Sequence, residues 1–162
     1  MKNLAFISMH TCPLARLGEK DSGGLNVYVL QTAKYLSSKG YNVDIFTRAH
    51  SPQDQHVINV SDTVRVIHVE AGSHASLKSE MPDLISCFQE NLDLFKLDHN
   101  INYELIHSHY WLSGQVGLYL SKRWEIPHVT TFHTLALTKL QARIGEIEPE
   151  IRGLTESKIS QN

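Results

Sequence analysis

The chain is short of three things that would narrow its class at once. It has two cysteines, Cys12 and Cys87, too few for a disulfide framework and suited to a reducing compartment. No apolar run approaches the roughly 18 residues of a membrane span, and the first one, Leu4 to Ile7, is too short for a secretory signal core. Neither sign of charge dominates. Lys and Arg number 15 against 17 Asp and Glu, a net charge of −2, which removes the strongly basic footprint of a nucleic-acid binder. What is present is 162 residues, 41% hydrophobic and 20% charged, the length and composition of one globular domain. Such a chain buries about two-thirds of its unfolded surface and folds without disulfide or metal. These features lead us to expect a cytoplasmic domain with no membrane span and no nucleic-acid partner.

Periodicity then orders the elements. Leu4 to Ser8 reads as a buried strand. A long loop with Pro13, Gly18 and Glu19-Lys20-Asp21 closes at Ser22-Gly23-Gly24. Leu25, Val29, Ala33 and Leu36 recur at helical spacing until Lys39-Gly40 stops the helix. Val43 to Thr47 and Val64 to Val69 are the next strands. Pro82 stands near the start of a second helix striped by Ile85, Phe88, Leu92 and Phe95. Tyr103 to Ser108 is a fourth strand, and Leu112, Val116, Leu120 and Trp124 stripe a third helix. Pro127 opens a fifth strand expected to run through Phe132 and His133. Pro149 followed by Ile151, Leu154 and Ile159 suggests a last helix. Strands alternating with helices require crossovers and hence parallel pairing. The fold class is therefore α/β, a doubly wound, Rossmann-like, mostly parallel sheet. Ligands in such folds sit beyond the carboxyl ends of the strands, where the strand order reverses.

The unusual residues fall in those places. Gly23 and Gly24 before a helix read either as a flexible cap or as backbone that an anion can approach. No Gly-Lys-Ser/Thr follows, so this is not a nucleotide P-loop, and the glycines lie too far from the strand for the dinucleotide fingerprint. His107 and His109 share one side of their strand, but two ligands are too few for a metal and no acidic residue or cysteine completes a site. They read equally as strand-end histidines bonded to backbone or packed under Trp111. His133 reads as a ligand contact or a satisfied core histidine. Lys78 is a loop cation. Arg152 either forks onto a phosphate or pairs with Glu148 as a surface bridge.

Four stretches in order carry a resemblance: Gly23-Gly24-Leu25-Asn26-Val27-Tyr28-Val29, Asp44-Ile45-Phe46-Thr47-Arg48, His107-Ser108-His109-Tyr110-Trp111-Leu112-Ser113-Gly114 and Phe132-His133-Thr134-Leu135. Together they resemble the N-terminal half of retaining GT-B glycosyltransferases of family four. That family includes sucrose-phosphate synthases, and the likeness favours the D-inositol-3-phosphate glycosyltransferase subgroup. It runs from about Phe6 to Arg152. The resemblance implies that Gly23 and Gly24 approach the diphosphate of a nucleotide-sugar donor, with Asn26 beside them on donor or acceptor. It implies that His133, in the catalytic position, lies against the transferred sugar. It also implies that Lys78, Tyr110, Thr134 and Arg152 hold the phosphate of a phosphorylated polyol or sugar acceptor, with His10 lining the same cleft. No metal or other cofactor is expected, the nucleotide sugar being a substrate.

The same resemblance implies a second domain that holds most of the donor nucleotide. Residues 1–162 are then the acceptor-side domain, ending before its last strand and not expected to turn over alone. Two other readings compete. One is a non-catalytic module binding a phosphorylated small molecule. The other, a response-regulator-like domain, predicts acidic residues after strand one, where this chain has Met9-His10-Thr11.

Overall fold

The computed structural model describes residues 1–15, 23–142 and 149–161. The loop features at Gly18, Glu19-Lys20-Asp21 and Ser22, the side chain of Lys78, and Glu148 lie outside the described residues. Six strands form one sheet in the order β3-β4-β2-β1-β5-β6. They are β1 Lys2–Ile7, β2 Tyr41–Arg48, β3 Val57–Ser61, β4 Val64–Val69, β5 Tyr103–His109 and β6 His128–Thr131. All neighbours pair parallel except β3, which pairs antiparallel with β4. The helices are α1 Gly24–Ser37, α2 Ile85–Asp98, α3 Tyr110–Trp124, α4 Ala136–Ala142 and α5 Glu150–Ser160, with a 3-10 stretch over Lys78–Leu84.

Period-two alternation in β1 divides the core. Leu4 and Phe6 join Val29 and Ala33 of α1 on one face of the sheet. Ala5 and Ile7 join Phe88 and Leu92 of α2 and Leu112 and Val116 of α3 on the other. A strand buried on both faces must be apolar at successive positions, which is why Leu4 to Ile7 reads as a continuous run. Close approach fixes the right-hand side of the sheet. A Cβ on Gly114 would meet Ile159 Cδ1 at 2.7 Å, and one on Gly117 would overlap the His128 ring. These two glycines of α3 let α5 and β6 settle against it.

Three differences from the sequence reading have local causes. β3 was not expected; Val57–Ser61 is a half-exposed edge strand, and its short alternating pattern is broken by Asn59. β6 stops at Thr131 rather than running through His133, because His133 takes a left-handed backbone with φ 63° that no strand can continue. α4 follows that turn; its leucines Leu137 and Leu140 are largely exposed, so no apolar stripe announced it.

Candidate functional site at the reversal of strand order

β1 lies between β2 and β5. The chain winds one way from β1 through β2 to β4 and the other way through β5 to β6, so the crevice falls between the carboxyl ends of β1 and β5. Helices α1 and α3 both begin at this rim and direct the positive ends of their dipoles toward it. Gly23 caps α1 without a side-chain hydrogen bond. Among the described residues nothing lies within 4 Å of a Cβ added to Gly23 or Gly24. Asn26, in the first turn of α1, is buried. Its amide nitrogen donates to the Cys12 carbonyl at 2.7 Å and to Thr11 Oγ1 at 3.0 Å. Asn26 thereby ties α1 to the loop after β1. Ser113 of α3 holds the same loop by accepting from the Met9 amide at 3.0 Å.

Beyond β5, one connected group forms. The Tyr110 ring lies 4.5 Å from the His10 ring and 4.7 Å from the Arg152 guanidinium carbon. Arg152 is fully buried and reaches back from α5. Its Nη1 donates to the Tyr110 hydroxyl at 3.1 Å, and its Nη2 donates to the Thr134 carbonyl at 2.7 Å and to Thr134 Oγ1 at 3.0 Å. Its Nε donates to Glu156 at 2.7 Å. Among the described residues Arg152 thus pairs with a buried carboxylate one helical turn along α5, and Glu156 also accepts from the Ala136 amide at 2.9 Å. The spacing of Arg152 and Glu156 at i and i+4 was visible in the sequence, but nothing local marked it as buried.

Histidines occupy the remaining side of the crevice. His109 Nδ1 and His133 Nε2 are 3.2 Å apart. The His107 and His109 rings are 4.2 Å apart, and His107 Nε2 meets Thr131 Oγ1 at 2.8 Å. Tyr28 of α1 sets its ring edge against both His109 and His133. Burial is the main cause that drives the proton affinities down: His109 to about 2, His107 to about 4, and His133 below its ordinary value. These imidazoles are neutral at pH 7. Among the described residues the strand-end histidines meet a hydroxyl, that of Thr131, and an imidazole, that of His133. Tyr110 and His133 both have positive φ, 75° and 63°. Two non-glycine residues strained at neighbouring strand ends are the kind of outlier that accompanies a functional site.

Of the residues singled out from sequence, Gly23, Gly24, Asn26, His10, Tyr110, His133, Thr134 and Arg152 lie along this rim. Lys78 opens the 3-10 stretch after β4, and no contact of its side chain is described. Among the described residues, no three His, Cys, Asp or Glu side chains gather as a metal site would require. No described helix is long and apolar enough to cross a membrane.

A doubly wound sheet with helix N-termini and polar side chains converging at its switch point defines a Rossmann-like α/β domain whose crevice opens at the carboxyl ends of β1 and β5. The chain belongs to the glycosyl transferase 4-like domain family, whose model matches residues 23–153. It is 45% identical over 148 residues to the D-inositol 3-phosphate glycosyltransferase of Corynebacterium glutamicum, covering 91% of this chain and 35% of that protein. Identity to the enzyme of the same name from Mycobacteroides abscessus is 44% over 162 residues, covering 98% and 37%. The fold matches a sucrose-phosphate synthase from Thermosynechococcus elongatus with TM-score 0.92 and 32% identity, covering 100% of this chain and 41% of that one. The architecture is therefore that of a GT-B glycosyltransferase domain, and the chain spans little more than a third of the length of these curated relatives.

Proposed function

We propose that this chain is the acceptor-side domain of a retaining glycosyltransferase that moves a sugar from a nucleotide-sugar donor to a hydroxyl of a phosphorylated polyol, inositol phosphate foremost. The observation that carries this reading is the Arg152 fork, which holds the Tyr110 hydroxyl and Thr134 together at the switch point. Two oriented hydroxyls backed by a guanidinium suit a phosphate. Glu156 offsets the charge of Arg152, so the dianion draws its further positive charge from Lys78. The phosphate meets the hydroxyls first, because Arg152 is buried behind them.

In the same reading Gly23 and Gly24 leave room for the donor diphosphate, whose developing charge the N-terminus of α1 stabilises. The open space above both glycines supports this, since no described side chain accounts for their lack of a Cβ. Asn26 holds the loop after β1 in place, and His133 lies against the transferred sugar. The bond from the anomeric carbon to the diphosphate breaks as the bond to the acceptor oxygen forms on the same face. The acceptor's proton passes to the departing phosphate oxygen, so the step needs neither a protein base nor a metal. A second domain, for which the greater length of the relatives leaves room, would hold the nucleotide.

Calorimetry of the chain with inositol phosphate and with neutral inositol tests the acceptor half. Tighter binding of the phosphate, by tenfold or more for about 1.4 kcal/mol of charge-assisted contact, is expected, and equal affinities would remove the phosphate site. Transfer assays on the native protein test the rest: no donor consumed with any phosphorylated acceptor would overturn the reading.

A further inference from the structure

We propose that His109 is the positioning residue for His133, fixing its ring so that the group offered to the cleft is an N–H at Nδ1. His109 is wholly buried at the end of β5, its Nδ1 stands 3.2 Å from His133 Nε2, and its own Nε2 has no hydrogen-bond partner among the described residues. One proton lies between the two facing nitrogens. If His109 Nδ1 carries it, the Nε2 left alone inside the protein is a bare lone pair. If His133 Nε2 carries it, neutral His109 must hold its proton at Nε2, as a buried N–H with no acceptor. Orphaned buried N–H groups are rarer than under-satisfied lone pairs. The first arrangement is favoured, and neutral His133 then bears its proton on Nδ1.

The surroundings reinforce this choice. The Phe6 and Tyr28 rings flank His109 at 5.3 and 5.9 Å, so the ring cannot turn over without disturbing both. Among the described residues the titratable groups facing the pair are Tyr28 from α1 and His107 from β5, and no carboxylate joins them to favour an imidazolium. Protonating His133 would set N–H against N–H and force the proton of His109 to its orphaned nitrogen. His133 is exposed and lines a concavity of about 560 Å³ with Phe132, Thr138 and Ala142. A hydrogen-bond donor there addresses a hydroxyl or phosphate oxygen; it does not act as a base. That consequence for transfer rests on the glycosyltransferase reading, whereas the tautomer does not.

The test is nitrogen-15 spectroscopy of the chain labelled at histidine, with His133→Gln used for assignment. His109 and His133 should both show protonated Nδ1 and bare Nε2 at pH 7.5, and His133 should titrate below the ordinary imidazole value. In His109→Phe, which keeps a buried ring, His133 should shift toward the Nε2–H form and its midpoint should rise by about one pH unit or more. His109→Asn, whose amide nitrogen overlays Nδ1, should restore the wild-type pattern. An Nε2–H His133 in the wild type, or an unchanged His133 in folded His109→Phe, would overturn the proposal. If His109→Phe does not fold, the wild-type spectrum decides alone. The expected tautomers in a protein that transfers no sugar would leave the proposal standing while removing the transferase reading.

Discussion

Two buried arginines stand on opposite halves of the same rim, and they are answered differently. Arg48, at the end of β2, is 1% exposed. It donates to the carbonyls of Ala71 at 3.4 Å and Ser73 at 3.1 Å, and its Nη2 lies 3.2 Å from His50 Nδ1. Its Nε has no partner among the described residues, and burial pulls its proton affinity below the usual guanidinium value. Arg152, on the other side, faces the Glu156 carboxylate and two hydroxyl-bearing residues. Neutral dipoles suffice where a guanidinium only fastens a loop, here the one that leads to Lys78. A carboxylate is added where the guanidinium must hold a fixed geometry around two hydroxyls. The left half of the rim answers its guanidinium with carbonyls and an imidazole, and the right half adds a carboxylate and two hydroxyls.

The largest expected effect breaks the right half. Arg152→Met leaves Glu156 buried and unpaired and should lower stability by about 3–5 kcal/mol in denaturant titration. Arg152→Met combined with Glu156→Leu should recover most of that loss, and a double variant as unstable as the single one would deny the pairing.

Acid should also act on the right half. His107 and His128 are held near 4 and His109 near 2, all below their unfolded values. The unfolded chain therefore binds more protons below about pH 6.5. Stability is full above that pH and falls as pH drops toward 4, by about 1.4 kcal/mol per pH unit for each histidine. Urea midpoints at pH 7.5, 6 and 5 measure it; a flat profile would mean that these imidazoles charge freely in the folded chain.

Arg48→Met removes a buried cation that has no hydrogen-bonded carboxylate and should cost less, about 1–3 kcal/mol. It should also weaken binding of inositol phosphate through the loop to Lys78. Equal losses in Arg48→Met and Arg152→Met would erase the distinction between the halves.

The smallest effect on stability falls at His133. His133→Gly relieves a left-handed backbone and should change stability by no more than about 1 kcal/mol in either direction, while abolishing transfer in the native protein. A large destabilisation would make His133 a structural residue.

Much of the architecture was legible because hydrophobic periodicity is a local property. Leu4 to Ile7 and the stripes on α1, α2 and α3 each declare an element within a few turns of chain, and their alternation implies the parallel sheet. β3 and α4 escaped because both are thinly buried, and a half-exposed element leaves little apolar pattern to read. The rim itself was legible, since the Gly23-Gly24 pair and the histidine-rich strand end of β5 fall where crossovers deliver them.

The linear order of residues thus determined the class of fold, the identity of the loops that meet at the crevice, and the candidates they carry. Tertiary structure alone decided the partners. Arg152 meets Tyr110 across 42 residues and Thr134 across 18, and His109 meets His133 across 24. Such pairs exist only once the sheet closes and α5 returns against α3. Burial, and with it the protonation of each imidazole, is a property of that closed arrangement, because the dielectric around a side chain is set by distant neighbours.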